Sequence, residues 1–122
     1  MSMQAQARRR LLAAIFWTGA GALHFRAPAF YEGIVPPPLR RVKRAVVLAS
    51  GVAEMAGGLA ILPARTRSFA RAWLLATLAA IYPANIYMAL SPERFGRFPR
   101  WALWGRLPLQ FVIAWATWRA TE

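Results

Sequence analysis

The sequence predicts an all-α protein with a single domain, a bundle of four membrane-crossing helices joined in antiparallel, up-down order. Three observations predict it. The 122-residue chain is 58% hydrophobic, its mean hydropathy is +0.34, and its net charge of +12 lies in short clusters between long apolar runs. Disordered chains combine high charge with low hydrophobicity, so the composition excludes that class. The chain has no cysteine, which excludes a disulfide scaffold, a thiol redox enzyme and a cysteine-ligated metal site.

Four apolar segments follow one another along the chain, at residues 11–25, 45–63, 72–90 and 101–118. The second segment would form about 28 Å of helix, close to the ~30 Å hydrocarbon core of a bilayer. A soluble bundle would instead show polar residues at helical spacing on each outer face. The run from Trp73 to Ile81 carries only Thr77 as a polar side chain, so the sequence favours membrane crossings.

The first segment has two interpretations. It follows the basic triplet of residues 8–10, and with its small residues at 20–22 it fits the plan of a cleavable signal peptide. However, a polar motif begins at His24, directly after the place where cleavage would occur, and needs the first helix to hold it. We therefore interpret the segment as a membrane span.

The connector of residues 26–44 is too long for a simple turn. It carries Phe30 and Tyr31, and the prolines at 36–38 stiffen its second half in an extended form. We expect it to fold back at the membrane surface as a lid or a short interfacial helix. The alternative is a connector with no ligand beneath it.

Basic residues at the ends of the spans favour contacts with anionic lipid headgroups. The best candidates for a headgroup-binding cluster are Arg40, Arg41, Lys43 and Arg44, for which a solvated helix start is the alternative. Once the spans are assigned, no recognition helix or stacking platform remains, so the charge does not indicate a nucleic-acid partner.

The third and fourth segments each contain a proline, Pro83 and Pro108. Proline removes a backbone donor, so we expect breaks in both helices, each freeing a backbone carbonyl that could line a cavity. Tryptophans bracket the fourth segment where an aromatic belt is expected; they are Trp101, Trp104, Trp115 and Trp118.

Four spans place both termini on one side of the membrane. That side carries seven basic residues and the other side carries eight, which is nearly a tie under the positive-inside rule. The arginine triplet abuts the first span, and the first helix often dominates. We therefore predict a multi-pass protein of the cell (inner) membrane with cytoplasmic termini.

Polar residues inside the spans are the candidates for function, because ionisable groups are costly in lipid and normally face the bundle interior. They are His24, Glu54, Asn85, Arg106 and Gln110. Odd spans run towards the connector and even spans run away from it, so all five residues fall in the half of the bundle next to the connector. Glu54 and Arg106 are the natural ion pair, and we predict a salt bridge between them.

Several runs of residues together resemble the DoxX-like family of small membrane proteins. They are residues 24–30, 35–36, 50–58, 63–67, 83–89 and 106–110. The resemblance implies a four-helix integral membrane protein. The family is named after a subunit associated with quinone-linked oxidation of sulfur compounds, and most relatives lack an assigned activity. Here Leu39 is followed by Arg40, where many relatives have a further proline.

The favoured function is an accessory or quinone-associated membrane subunit whose polar cluster binds a quinone headgroup beneath the connector. Quinone carbonyls accept hydrogen bonds from His, Arg or Asn, and proton uptake needs an acid or an imidazole. With one histidine and no cysteine, the chain has no haem, iron–sulfur or other metal ligand set. A redox role would thus require an exchangeable quinone or a partner redox subunit, and the sequence does not identify an enzyme.

Two alternatives remain open. One is a small proton-coupled transporter that works as a homo-oligomer, for which the near tie in basic residues would suit a dimer of dual topology. A Glu54–Arg106 pair would suppress proton exchange and so argues against it. The other is a membrane scaffold in which the polar cluster only holds the helices together.

Overall fold

The computed structural model describes residues 2–122, and those residues contain helices and turns but no strand. The all-α prediction is therefore confirmed. The α-helices are α1 (Met3–Arg26), α2 (Pro28–Gly33), α3 (Lys43–Ala60), α4 (Arg67–Leu90) and α5 (Arg100–Ala120). Short 3-10 helices lie at Pro37–Val42, Ala64–Thr66 and Pro92–Arg94. The four long helices overlap the four apolar segments, and α2 lies in the connector.

The ends of the helices follow from local sequence. α1 begins well before the first apolar segment, because residues 3–10 contain no glycine or proline and the Ser2 hydroxyl caps the helix by accepting from the Ala5 N–H at 3.0 Å. α3 ends at Ala60, since Pro63 disfavours helical geometry in the residue before it. α1 is thus longer than the predicted span, and α3 is shorter at its carboxyl end.

Each long helix packs on two neighbours, in the cyclic order α1, α3, α4 and α5. α1 and α3 run antiparallel, because Trp17 lies against Gly58 while His24 lies against Gly51. α1 and α5 are also antiparallel, since Gln6 Nε2 donates to the carbonyl oxygen of Arg119 at 3.0 Å.

Two apolar clusters fill the ends of the interior. One is formed by Trp17, Ile61, Ala70, Leu74 and Leu78, and the other by Ile34, Met88, Phe95 and Leu103. Along α4 and α5 the buried residues Asn85 and Gln110 fall between these clusters. The polar part of the interior is therefore a layer closed off at both ends by apolar packing.

The exterior of the long helices is strongly apolar. On α5, Phe111 is 66% exposed and Trp115 is 61% exposed, and similar residues face outward on α1, α3 and α4. Within the described residues, one helical stretch, Ala64–Leu90, is long and apolar enough to cross a membrane on length and composition alone.

The predicted helix breaks are wrong. α4 continues through Pro83 and α5 continues through Pro108 as uninterrupted helices. A proline removes one backbone donor from an interior turn, and the flanking turns keep their own bonds while packing on neighbouring helices holds them in place.

Candidate functional site

A histidine and a carboxyl group from neighbouring helices meet in the interior. His24 Nε2 lies 3.1 Å from Glu54 Oε2, and both residues are buried. The other ring nitrogen, Nδ1, lies 2.8 Å from the carbonyl oxygen of Ala20, so Nδ1 carries a proton and donates it. Nε2 and Oε2 can then form a hydrogen bond only if one of them carries a further proton. The contact thus places an imidazole and a carboxyl group where one further proton would join them by a hydrogen bond.

Glycines allow the two helices to come close enough for this contact. A Cβ added to Gly51 would lie 2.8 Å from His24 Cβ, and one added to Gly21 would lie 2.5 Å from the carbonyl oxygen of Gly51. Contacts this short between real side-chain and backbone atoms are strongly repulsive. The backbones of α1 and α3 therefore approach directly, which brings Glu54 within reach of the imidazole.

Tyr31 of α2 covers the histidine. Its ring stacks on His24 with centroids 3.9 Å apart and planes 16° apart. Burial raises the pKa of the Tyr31 phenol, with the Glu54 carboxyl adding to the shift and the Arg106 guanidinium opposing it. The phenol thus stays protonated near neutral pH, as a hydrogen-bond donor beside both of those groups.

Amide side chains link α4 and α5. Asn85 Nδ2 donates to Gln110 Oε1, and Gln110 Nε2 donates to the carbonyl oxygen of Leu78 at 2.6 Å. Asn85 Oδ1 is buried and has no hydrogen-bond partner. It is therefore an acceptor available to a polar group in the adjacent cavity.

Arg106 is not the partner of Glu54, so the predicted Glu54–Arg106 salt bridge is wrong. Within residues 2–122 the ion-pair contact of Glu54 is with His24, and no hydrogen bond or ion pair engages the Arg106 side chain. The reason is that α1 and α3 form the closest contact, which places the imidazole nearer to the carboxyl group. Arg106 instead lines the same cavity with its guanidinium unneutralised.

A cavity of about 600 Å³ joins these groups. Its polar lining includes all five residues predicted from the sequence, namely His24, Glu54, Asn85, Arg106 and Gln110. The remaining wall is mostly aliphatic and aromatic. The connector closes one end through Tyr31, Ile34, Val35, Pro36 and Leu39.

Most of the predicted headgroup cluster is engaged by the protein itself. Arg44 Nε donates to Glu32 Oε2 at 2.6 Å, and Lys43 Nζ lies 4.0 Å from Glu32 Oε1. Arg40 donates to the Tyr87 hydroxyl and lies over its ring. These contacts fasten the connector to α3 and α4. Arg41 is exposed.

Residues 12–121 match the sequence profile of a family described as a domain of unknown function, DUF8561. The chain belongs to this family. The matched region contains the whole cavity lining. No curated protein and no solved structure matches the chain.

Tyr31 of this DUF8561 chain is a site residue that the sequence pattern did not predict, since the pattern placed it only in the connector. The signal that could have found it is a polar-tipped aromatic residue in a segment that begins directly after His24. Its contact with the imidazole depends on α2 turning back over α1, which no periodic pattern encodes.

Proposed function

We propose that the chain is a four-span membrane protein that binds the polar head of a lipid-soluble ligand, a quinone or a compound like it, in the interhelical cavity. In this proposal it acts as an accessory subunit. The observation that carries it is the cavity itself, in which the Arg106 guanidinium, without an ion-pair partner, and the free Asn85 amide oxygen join a polar cluster within mostly apolar walls.

The distribution of side chains supports membrane placement. Buried residues include His24, Glu54, Asn85 and Gln110, whereas the outer surface carries large apolar side chains on all four long helices. A water-soluble bundle would have the opposite arrangement. Ionisable groups that face the bundle interior are the arrangement expected for helices surrounded by lipid.

The chemistry of the lining suits a quinone head. A quinone presents two carbonyl oxygens on a flat ring, so it needs donors at its edge and apolar walls against its faces. Arg106 and the Tyr31 hydroxyl are donors, and His24 with Glu54 can supply or take up a proton. The volume of about 600 Å³ falls within the range of small-molecule sites.

The resemblance to the DoxX-like family supports the same proposal, since that family is named after a subunit associated with quinone-linked oxidation. The chain has one histidine and no cysteine. Electron transfer would therefore use an exchangeable quinone or a partner redox subunit.

The test is mass spectrometry of organic extracts from protein purified gently in detergent. We expect a quinone to co-purify with the wild type at near-stoichiometric amounts and to be lost from Arg106→Gln and Glu54→Gln. The matched control is Glu93→Gln, which makes the same change at an exposed residue of the turn after α4 and should retain the ligand.

Absence of any quinone from the wild type, in native lipid and in quinone-supplemented vesicles, would contradict the proposal. If the two variants lose stability without any ligand in the wild type, the cluster is structural and the protein is a scaffold.

A second candidate, the proton-coupled transporter working as a dimer, is favoured by one observation. Glu54 contacts His24 rather than Arg106, so no arginine holds the carboxyl group permanently charged. In vesicles with an imposed proton gradient, a transporter would accumulate tetraphenylphosphonium. Glu54→Gln would abolish that uptake, whereas Glu93→Gln would not.

A further inference from the structure

A second cavity lies outside the site described above. It is a groove of about 480 Å³ between α1 and α5, in the half of the bundle that holds the chain termini. Its walls are apolar, with Leu12 and Phe16 on α1 and Val112 and Trp115 on α5. All four of these side chains are about half exposed or more, so the groove opens to the surroundings of the bundle.

The floor of the groove is closed by a direct link between the two helices. Trp17 Nε1 donates to the Thr117 hydroxyl at 3.1 Å, and both residues are almost fully buried. The groove shares Phe16, Trp17 and Ile113 with the lining of the first cavity, but its lining contains none of that cavity's five polar residues.

Two arginines stand at one end of the groove, Arg9 from α1 and Arg119 from α5. Arg9 Nη1 is buried and has no hydrogen-bond partner, and Arg119 Nε lies 3.5 Å from Glu122 Oε2. The same end of the bundle carries further arginines, including Arg8, Arg10 and Arg71. Cationic groups with unsatisfied donors at the mouth of an apolar channel suit an anionic headgroup followed by a hydrocarbon chain.

The length of the groove agrees with this occupant. Arg9 and Phe16 are seven residues apart, as are Val112 and Arg119, so the apolar section extends about 10 Å from the arginines along each helix. That is roughly a third of a bilayer's hydrocarbon core. An acyl chain lying in it would have its phosphate at the arginines and its distal end in the surrounding lipid.

We propose that the groove between α1 and α5 binds one anionic phospholipid, with the phosphate at Arg9 and Arg119 and an acyl chain against Leu12, Phe16, Val112 and Trp115. This site uses other polar residues than the proposed quinone cavity does, but the proposal rests on the membrane placement proposed above. Protein that stays monodisperse in buffer without detergent would overturn both proposals. Detergent-dependent protein without lipid selectivity would overturn only this one.

The experiment is a native mass spectrometry titration of delipidated protein in detergent with dioleoyl phosphatidylglycerol or dioleoyl phosphatidylcholine. The two lipids have the same acyl chains, so a difference in affinity reports the headgroup. We expect one phosphatidylglycerol to bind before any phosphatidylcholine. Arg9→Gln should weaken it about fivefold, and Arg9→Gln with Arg119→Gln should weaken it further.

Arg8→Gln is the matched control. It removes the same charge as Arg9→Gln, at an exposed neighbour that does not line the groove. It should change the affinity less than twofold. Ala116→Phe fills the groove without changing charge and should weaken both lipids. Thermal unfolding in detergent shows whether each variant is folded.

Three results of the titrations would overturn the proposal, and a competition experiment gives a fourth. They are equal affinity of the wild type for the two lipids, equal losses from Arg9→Gln and Arg8→Gln, and unchanged lipid binding in folded Ala116→Phe. Displacement of phosphatidylglycerol by inorganic phosphate at the same concentration would show a phosphate site that makes no use of the acyl chain, and would overturn it too.

Discussion

The contact between His24 and Glu54 brings the imidazole and the carboxyl group of the interior within 3.1 Å of each other. The imidazole is held at both nitrogens, by the Ala20 carbonyl and by the Glu54 carboxyl group, and its face is covered by Tyr31. Removing either side chain would leave the other buried without a polar partner, which lowers the free energy of unfolding.

A double-mutant cycle tests this pairing. His24→Gln and Glu54→Gln should each destabilise the protein, and the double variant should be more stable than the sum of the two losses predicts. The expected coupling is about 1–3 kcal/mol, the range for residues in direct contact. The measurement is the free energy of unfolding by denaturant in detergent.

Arg106 supplies the control for that cycle. No ion pair joins it to Glu54 among the described residues, although both line the same cavity. The coupling between Arg106→Gln and Glu54→Gln should therefore be smaller than the coupling between His24→Gln and Glu54→Gln. Strong coupling between Glu54 and Arg106, together with additivity between Glu54 and His24, would contradict the structure.

At the scale of the elements, the contact between α1 and α3 positions the site. Gly21 and Gly51 face each other where the helices meet, and neither has room for a side chain. Small residues at such contacts let helices associate closely in membranes. The separation of these two helices determines whether His24 reaches Glu54.

Adding a methyl group at this contact should separate the helices. Gly21→Ala would place Cβ 2.5 Å from the Gly51 carbonyl oxygen, so we expect a loss of about 1–3 kcal/mol from overpacking. Circular dichroism of thermal unfolding in detergent measures this loss.

The control is Gly19→Ala on the same helix, where a Cβ meets nothing within 4 Å. That change should be neutral or stabilise by up to about 1 kcal/mol through helix propensity. Equal effects of the two substitutions would argue against the close approach.

The prolines show how tertiary packing modifies a local rule. Pro83 and Pro108 each lie inside a continuous helix. The Gln110 side chain donates to the Leu78 carbonyl in the turn before Pro83. A side chain of α5 thus supplies a hydrogen-bond donor to the backbone of α4, close to the place where Pro83 lacks an N–H group.

At the scale of the whole molecule, the polar layer in the interior and the apolar exterior are opposite to the arrangement of a water-soluble bundle. The amino end of α1 and the carboxyl end of α5 are tied together, since Arg10 Nη2 donates to the Glu122 carbonyl oxygen at 2.8 Å. The same end of the bundle holds the turn between α3 and α4. The connector and the turn between α4 and α5 lie at the opposite end.

Cysteine labelling tests the proposed topology without background, because the chain has no native cysteine. With cytoplasmic termini, Arg65→Cys should be protected from a membrane-impermeant maleimide in intact cells, and Gly96→Cys should react. Both positions are exposed on the protein. Permeabilised cells provide the control, in which both positions should react. The reverse pattern would invert the topology, and partial labelling of both would support the dual-topology dimer of the transporter hypothesis.

The sequence by itself determined the helical class, the approximate course of the four long helices and the five polar residues that line the cavity. Composition and the distribution of apolar runs carry that information, because residues three or four apart in the sequence share one face of a helix and decide whether that face is buried. Antiparallel connectivity then placed the five residues at a similar level of the bundle.

Only the tertiary structure decided which groups touch. Neighbouring residues on a helix point about 100° apart. A small rotation of α3 or α5 about its own axis therefore decides whether Glu54 contacts His24 or Arg106. The connector has no periodic pattern, so the sequence did not place Tyr31 on the imidazole. The groove between α1 and α5 likewise arises from the spacing of two helices distant in sequence. These features depend on the relative positions of packed helices, which local sequence patterns do not specify.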